Sequence, residues 1–194
     1  GARPLRTATT DLFGSANLDH NKWLIFNESS ANWKLDGGDL AIWTQEGDVW
    51  QDRFDAGNIF LQFAPRGDFS IRTQVKLASA ANHEQAFLTV WQDPDNYVRI
   101  ASVYDDGPVF EIGSETDAKY ERSSFPNSLG SEVHLRIDRN RQGYRFHVSA
   151  DGKQWEELGE PLQRDFALPK VGIGACSPVS GKRRLARFRH FIVK

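Results

Sequence analysis

The sequence predicts an all-β fold, a sandwich or jelly roll of two antiparallel sheets. Helical periodicity is almost absent, runs alternating apolar and polar residues recur along the chain, and Gly-, Pro- and Asp-rich turn signals separate them. About twelve such runs imply two sheets of roughly five or six strands, more than a simple immunoglobulin sandwich holds.

Trp33–Leu35 and Leu40–Thr44 are the first expected strands, with the breaker Asp36-Gly37-Gly38-Asp39 between them. Ile59–Phe63 follows, then Phe69–Leu77 after Ala64-Pro65-Arg66-Gly67-Asp68. Phe69, Ile71, Thr73 and Val75 are expected inward, with Ser70, Arg72, Gln74 and Lys76 outward. Gln85–Trp91 and Tyr97–Tyr104 read as antiparallel strands joined by a tight turn over Asp93 to Asn96. Val109–Ser114 continues the meander after Asp105-Asp106-Gly107-Pro108, with Phe110 and Ile112 inward and Glu111, Gly113 and Glu115 outward. Val133–Asp138 and Tyr144–Ala150 turn Val133, Leu135, Ile137, Tyr144, Phe146 and Val148 inward. Asp151-Gly152 supplies the positive-φ positions of a hairpin before Gln154–Glu160, and Val171–Ala175 and Leu185–Val193 close the series.

Net charge is −2 with both signs interspersed, and only Lys182-Arg183-Arg184 is locally basic, so no nucleic-acid partner is expected. No apolar run approaches the ~20 residues of a membrane helix, so no membrane partner is expected, and no signal-peptide core is visible. Cys176 is the single cysteine and reads as a buried, inert thiol. A chain this long buries roughly 70% of its unfolded surface and needs no disulfide. With no methionine, the opening Gly1-Ala2-Arg3-Pro4 reads as a processed or trimmed terminus. Residues 1–194 are expected to form one domain, a module or mature fragment of a larger secreted protein. No P-loop, dinucleotide fingerprint, serine elbow or Cys/His cluster occurs.

Along Gln85–Trp91, Ala86, Leu88 and Val90 share one face, and Gln85, Phe87, Thr89 and Trp91 share the other. The aliphatic side is expected to pack a core, leaving the other free for solvent or ligand. With its neighbouring strands the free face gathers Gln85, Phe87, Trp91, Arg99 and Glu111, the candidate carbohydrate-binding residues. Flat apolar rings (Phe87, Trp91) suit the C–H face of a sugar, and planar polar groups (Gln85, Arg99, Glu111) suit its hydroxyls. Trp43 and Trp50 are further candidate platforms, whereas Trp23, Trp33 and Trp155 are assigned to packing.

The run Glu84-Gln85-Ala86-x-Leu88-x-Val90-Trp91-x-Asp93-x-Asp95-Asn96-Tyr97-Val98 resembles a signature of concanavalin A-like sandwich domains. These stand at the C-terminal end of family 43 glycoside hydrolases (β-xylosidases and arabinofuranosidases) and in related accessory domains of unassigned function. Asn32-Trp33, Gly47-Asp48-x-Trp50, Asn58-x-x-Leu61-Gln62-x-Ala64-Pro65-x-Gly67-Asp68-Phe69 and the closing Phe188-x-x-Phe191 agree, so the likeness covers nearly the whole chain. It implies a concanavalin A-like lectin/glucanase β-sandwich. It also implies a non-catalytic module of an extracellular polysaccharide-degrading system, with a poly- or oligosaccharide and a neighbouring catalytic domain as partners. Two departures stand out: Phe87 replaces the family's usual glycine, and Arg189 replaces an acidic residue in the closing motif.

Enzymes of laminarinase type on the same fold carry Glu-x-Asp-x-Glu on one strand. Glu111 and Glu115 keep the outer spacing, but Gly113 stands in the middle, which makes a glycoside hydrolase or lyase the alternative reading. A structural or protein-docking domain is the second alternative. No cofactor and no metal are expected. His134 and His147, on adjacent strands, read as a solvent-facing pair. A structural calcium ion at Asp93, Asp95 and Asp105-Asp106 is left open, although their spacing matches no recognised loop.

Overall fold

The structure, a computed structural model, describes residues 6–194, so the reading of Gly1 to Pro4 lies outside the described residues. The strands are β1 (Leu24–Phe26), β2 (Trp33–Asp36), β3 (Asp39–Trp43), β4 (Val49–Trp50), β5 (Arg53–Phe54) and β6 (Ile59–Phe63). Next come β7 (Phe69–Lys76), β8 (Gln85–Asp93), β9 (Asn96–Tyr104), β10 (Pro108–Thr116) and β11 (Lys119–Pro126). The chain closes with β12 (Glu132–Asn140), β13 (Gly143–Ser149), β14 (Glu156–Leu162), β15 (Lys170–Cys176) and β16 (Leu185–Val193). No described helix is long and apolar enough to cross a membrane.

Two antiparallel sheets of seven strands face each other, ordered β1-β6-β15-β8-β9-β10-β11 and β14-β13-β12-β7-β16-β3-β2, and β4 pairs only with β5. The expected all-β sandwich is therefore formed, with larger sheets than expected. The additional strands are β1, β4, β5 and β11. β11 escapes a pattern reading because it is an edge strand, and Lys119 and Glu121 to Ser124 are all exposed. β4 and β5, two residues each, are too short to show any period.

The expected phases are met throughout the interior. Ile71, Thr73, Val133, Leu135, Ile137 and Phe146 are all fully buried between the sheets. Phe188 and Phe191 lie three residues apart yet both enter this core, because β16 bulges between Phe188 and His190 and resets its phase. The β8–β9 turn is held by Asp93, whose Oδ1 accepts from the Asp95 amide at 2.9 Å and Asn96 Nδ2 at 3.0 Å. On the outer face of the second sheet, His147 stands opposite Arg136 and His134 opposite Ser149, so those histidines do not pair. His134 and His190 both flank Gln74 instead, with ring centroids 6.0 Å apart.

Candidate functional site

β8, β9 and β10 lie side by side in the first sheet, and their phase is the expected one. Ala86, Leu88 and Val90 are in the core between the sheets, whereas Phe87 and Trp91 belong to a second apolar cluster. The second face is not free, however. The chain between β3 and β6 folds back over it as the β4–β5 hairpin, and Val49 and Ala56 pack onto Phe87, Trp91 and Tyr97. Phe87 and Trp91 are only 2% and 4% exposed. Trp91 stacks on Tyr97 at 5.6 Å, and the Phe87 ring lies over Gly174, where a Cβ would meet its Cζ at 2.6 Å. The stacking expected of Phe87 and Trp91 is therefore corrected: both rings form a small second core, and neither offers a face to a ligand in this conformation. Period-2 alternation identifies the side of a sheet, not what covers it.

The other three candidates come together. Gln85, Arg99 and Glu111 form, with Val103, the floor of a cavity of about 450 Å³. Asp48, Trp50, Gln51 and Arg53 of the hairpin wall one end, and His83 stands at the other. Tyr120 and Arg122 of β11 form one side, and Pro178 and Val179 the opposite side. Trp50 is 40% exposed at the mouth, the position of a platform. Its reading as a candidate platform thus fits its place here, unlike that of Trp91. Tyr120 and Arg122 had no sequence signal, because they sit on the edge strand that shows no alternation.

The floor is a charged network. The Arg99 guanidinium is almost completely buried and lies 5.4–5.6 Å from the rings of Phe87, Tyr97 and Tyr120. Its Nη2 donates to the Tyr120 hydroxyl at 3.3 Å and stands 4.0 Å from Glu111 Oε1. The Tyr120 hydroxyl donates in turn to Glu111 Oε1, and Arg122 Nη1 donates to Glu111 Oε2 at 3.2 Å. Burial works against the charge on Arg99, but the Tyr120 and Tyr97 hydroxyls, Asp48 and Glu111 outweigh it and hold the proton firmly. Burial pushes the Tyr120 hydroxyl up to about 12, so it remains a donor. Gly113 is required here, since a Cβ would come within 2.3 Å of the Tyr120 hydroxyl oxygen. Gln85 Oε1 and Arg99 Nε, both shut off from solvent beneath the floor, are left without hydrogen-bond partners.

Glu115 lies apart from this network. It is fully buried, does not line the cavity, and its Oε2 is 2.9 Å from the Tyr97 hydroxyl, which is also 2.7 Å from the Val49 carbonyl. One hydroxyl proton cannot serve two acceptors. Burial pushes the Glu115 carboxyl up, against the lowering effect of the Tyr97 hydroxyl, and the Tyr97 contacts to Glu115 and Val49 pin the hairpin to the sheet. A different carboxylate fixes the loops around the mouth. Glu84 accepts from the Ala80 and Ala81 amides at 2.7 and 3.2 Å, from Ser180 Oγ at 2.9 Å and from Arg184 Nε at 3.0 Å. Burial raises its pKa, but these bonds win and hold it below its ordinary value. Among the described residues no three His, Cys, Asp or Glu side chains are grouped to hold a metal ion.

Two antiparallel seven-stranded sheets, one with a walled polar cavity on its outer face, define the class: a concanavalin A-like β sandwich of the kind found in glycoside hydrolases. Residues 25–194 match the model of a family described as a protein of unknown function, DUF1349, and the chain belongs to that family. No curated protein matches it. Among solved structures it is similar to the GH43 protein BlXynB of Bacillus licheniformis (22% identity, TM-score 0.87, 95% of this chain and 39% of that one). A Bacteroides ovatus GH43B from a xyloglucan locus is similar over 100% of this chain and 40% of its own, at 18% identity and TM-score 0.82. A functionally unknown protein of Saccharomyces cerevisiae is similar at 18% identity and TM-score 0.67, over 89% of this chain and 94% of its own. The chain thus spans about two fifths of the glycoside hydrolases it resembles.

Proposed function

We propose that this protein is a non-catalytic carbohydrate-binding or accessory module of an extracellular polysaccharide-degrading system. A poly- or oligosaccharide is its ligand and a catalytic domain its neighbour. The observation that carries the reading is the cavity: an exposed Trp50 beside a floor of buried, oriented polar groups, Gln85, Arg99 and Glu111. Its volume falls within the ~300–1,000 Å³ typical of small-molecule clefts. An aromatic platform with a few fixed donors and acceptors is how a sugar's apolar face and hydroxyl rim are held together. The glycoside hydrolases similar in fold support the glycan class.

Catalysis by Glu111 and Glu115 is disfavoured by geometry. Two carboxylates must flank one bond, yet Glu115 is sealed beneath the hairpin and Glu111 is engaged by Tyr120 and Arg122. A docking role draws on the exposed Trp50, Phe54 and Val179, which are 40%, 42% and 69% exposed. Retention of the purified chain on a panel of insoluble and immobilised polysaccharides separates these readings, with reducing-end release followed in the same wells. Trp50→Ala is expected to weaken retention at least tenfold with thermal stability unchanged. Release that disappears in Glu111→Gln would instead establish the enzyme, and no retention on any glycan would favour docking.

A further inference from the structure

We infer that the cavity recognises the end of a glycan chain, a terminal sugar and at most its neighbour, rather than an internal stretch of polysaccharide. This inference rests on the carbohydrate reading above and concerns which part of the ligand is bound.

An internal stretch needs a lane open at both ends, since the chain must enter and leave. A long lane would be available on this sheet if its face were bare. β8 runs nine residues, Gln85 to Asp93, about 30 Å at ~3.3 Å per residue. The cavity occupies only the Gln85 end. The Trp91 end is filled by the hairpin, whose Val49 and Ala56 pack against Phe87, Trp91 and Tyr97. Several anchors hold it there. The Tyr97 hydroxyl contacts the Val49 carbonyl at 2.7 Å, and Asn27 Nδ2 donates to the carbonyls of Phe54 and Ala56 at 2.7 and 3.2 Å.

Beyond Gln85 the chain continues through Glu84 and His83, whose backbones bond to Tyr104 of β9, and the His83 side chain lines the cavity. Its loop is tied to the β9–β10 turn by two bonds between Asn82 and Asp106, at 3.0 and 2.8 Å. The flanks are also built up. Tyr120 and Arg122 rise from β11 on one side, locked to Glu111. On the other side Pro178 and Val179 are carried by a segment held at both ends, by Ser177 Oγ to Thr44 Oγ1 at 2.7 Å and by Ser180 Oγ to Glu84. A cavity walled on four sides, with volume for roughly one or two sugar rings, admits a chain end through its mouth.

The test is isothermal titration of the purified chain with xylo- and cello-oligosaccharides of increasing length, from the monosaccharide to the hexasaccharide. Affinity is expected to reach its plateau by the disaccharide or trisaccharide, changing less than twofold from trisaccharide to hexasaccharide. Trp50→Ala should lower affinity by the same factor for the trisaccharide and the hexasaccharide. With a soluble polymer of either series, the number of sites at constant mass should rise as the chains are cut shorter, because ends are being counted. A tenfold or greater gain from trisaccharide to hexasaccharide overturns the chain-end inference while leaving carbohydrate binding intact, as do polymer sites that follow mass. No binding of any length in either series overturns the carbohydrate reading and this inference with it.

Discussion

Replacing Phe87 by alanine decides whether the outward face of the first sheet is core or binding surface at this position. The ring is 2% exposed, sits 5.4 Å from the Arg99 guanidinium and lies over Gly174. Truncating a fully packed phenylalanine costs ~3–5 kcal/mol, the transfer contribution plus the cavity left behind. For a chain of this length each kcal/mol lowers Tm by ~2–4 °C, so the expected fall is ~6–20 °C. A ring on an open sugar platform would cost within ~0.5 kcal/mol. Thermal unfolding followed by near-UV circular dichroism, checked by the urea midpoint at 25 °C, reads the difference. Gly174 provides a second arm. A Cβ there would meet Phe87 Cζ at 2.6 Å, so Gly174→Ala should overpack the site by ~1–3 kcal/mol. In the Phe87→Ala background that cost should largely vanish, giving a coupling that a double-mutant cycle measures. A Tm change below ~2 °C for Phe87→Ala, or strict additivity of the two substitutions, would refute the covered-face argument.

Other outcomes follow from the buried carboxyls and histidines. Glu84→Gln should destabilise by ~2–3 kcal/mol at pH 7, because a carboxylate accepting charge-assisted bonds is lost. Glu84 is held below its ordinary 4.5, so its contribution is present above that pH and fades as pH falls further. The deficit of Glu84→Gln in urea unfolding should shrink accordingly below about pH 4.5. Glu115 has the opposite sign: its carboxyl is pushed up, so its stabilising protonated form is lost as pH rises through the raised value. Glu115→Gln should therefore match or exceed the parent in Tm at pH 7.5 and lose that advantage at pH 4; a lower Tm at pH 7.5 would count against a carboxyl pushed up by burial. Burial pushes His190 down to about 4, with His134, Arg72 and Arg189 adding to the effect. Its imidazole carbon signals should show no titration between pH 8 and 5. Its contribution to stability, present above the ordinary 6.5, should be lost as pH falls toward 4.

The alternation of Phe69–Val75, Val133–Ile137 and Tyr144–Val148 determined by itself that this chain forms two antiparallel layers, because a strand with one apolar face has only one way to bury it. The same alternation placed Gln85, Arg99 and Glu111 on one outward face and the Asp93 turn between β8 and β9. Three decisions belonged to the tertiary structure. The hairpin from Val49 to Phe54 carries too few residues to show a period, yet its position over the sheet turned Phe87 and Trp91 from a candidate platform into a second core. Edge strand β11, polar along nearly its whole length, brought Tyr120 and Arg122 onto Glu111. The bulge in β16 put two phenylalanines of opposite nominal phase into the same interior. In each case the deciding feature is a contact or register between strands, and local periodicity reports only which way a side chain leaves its own strand, never what arrives to meet it.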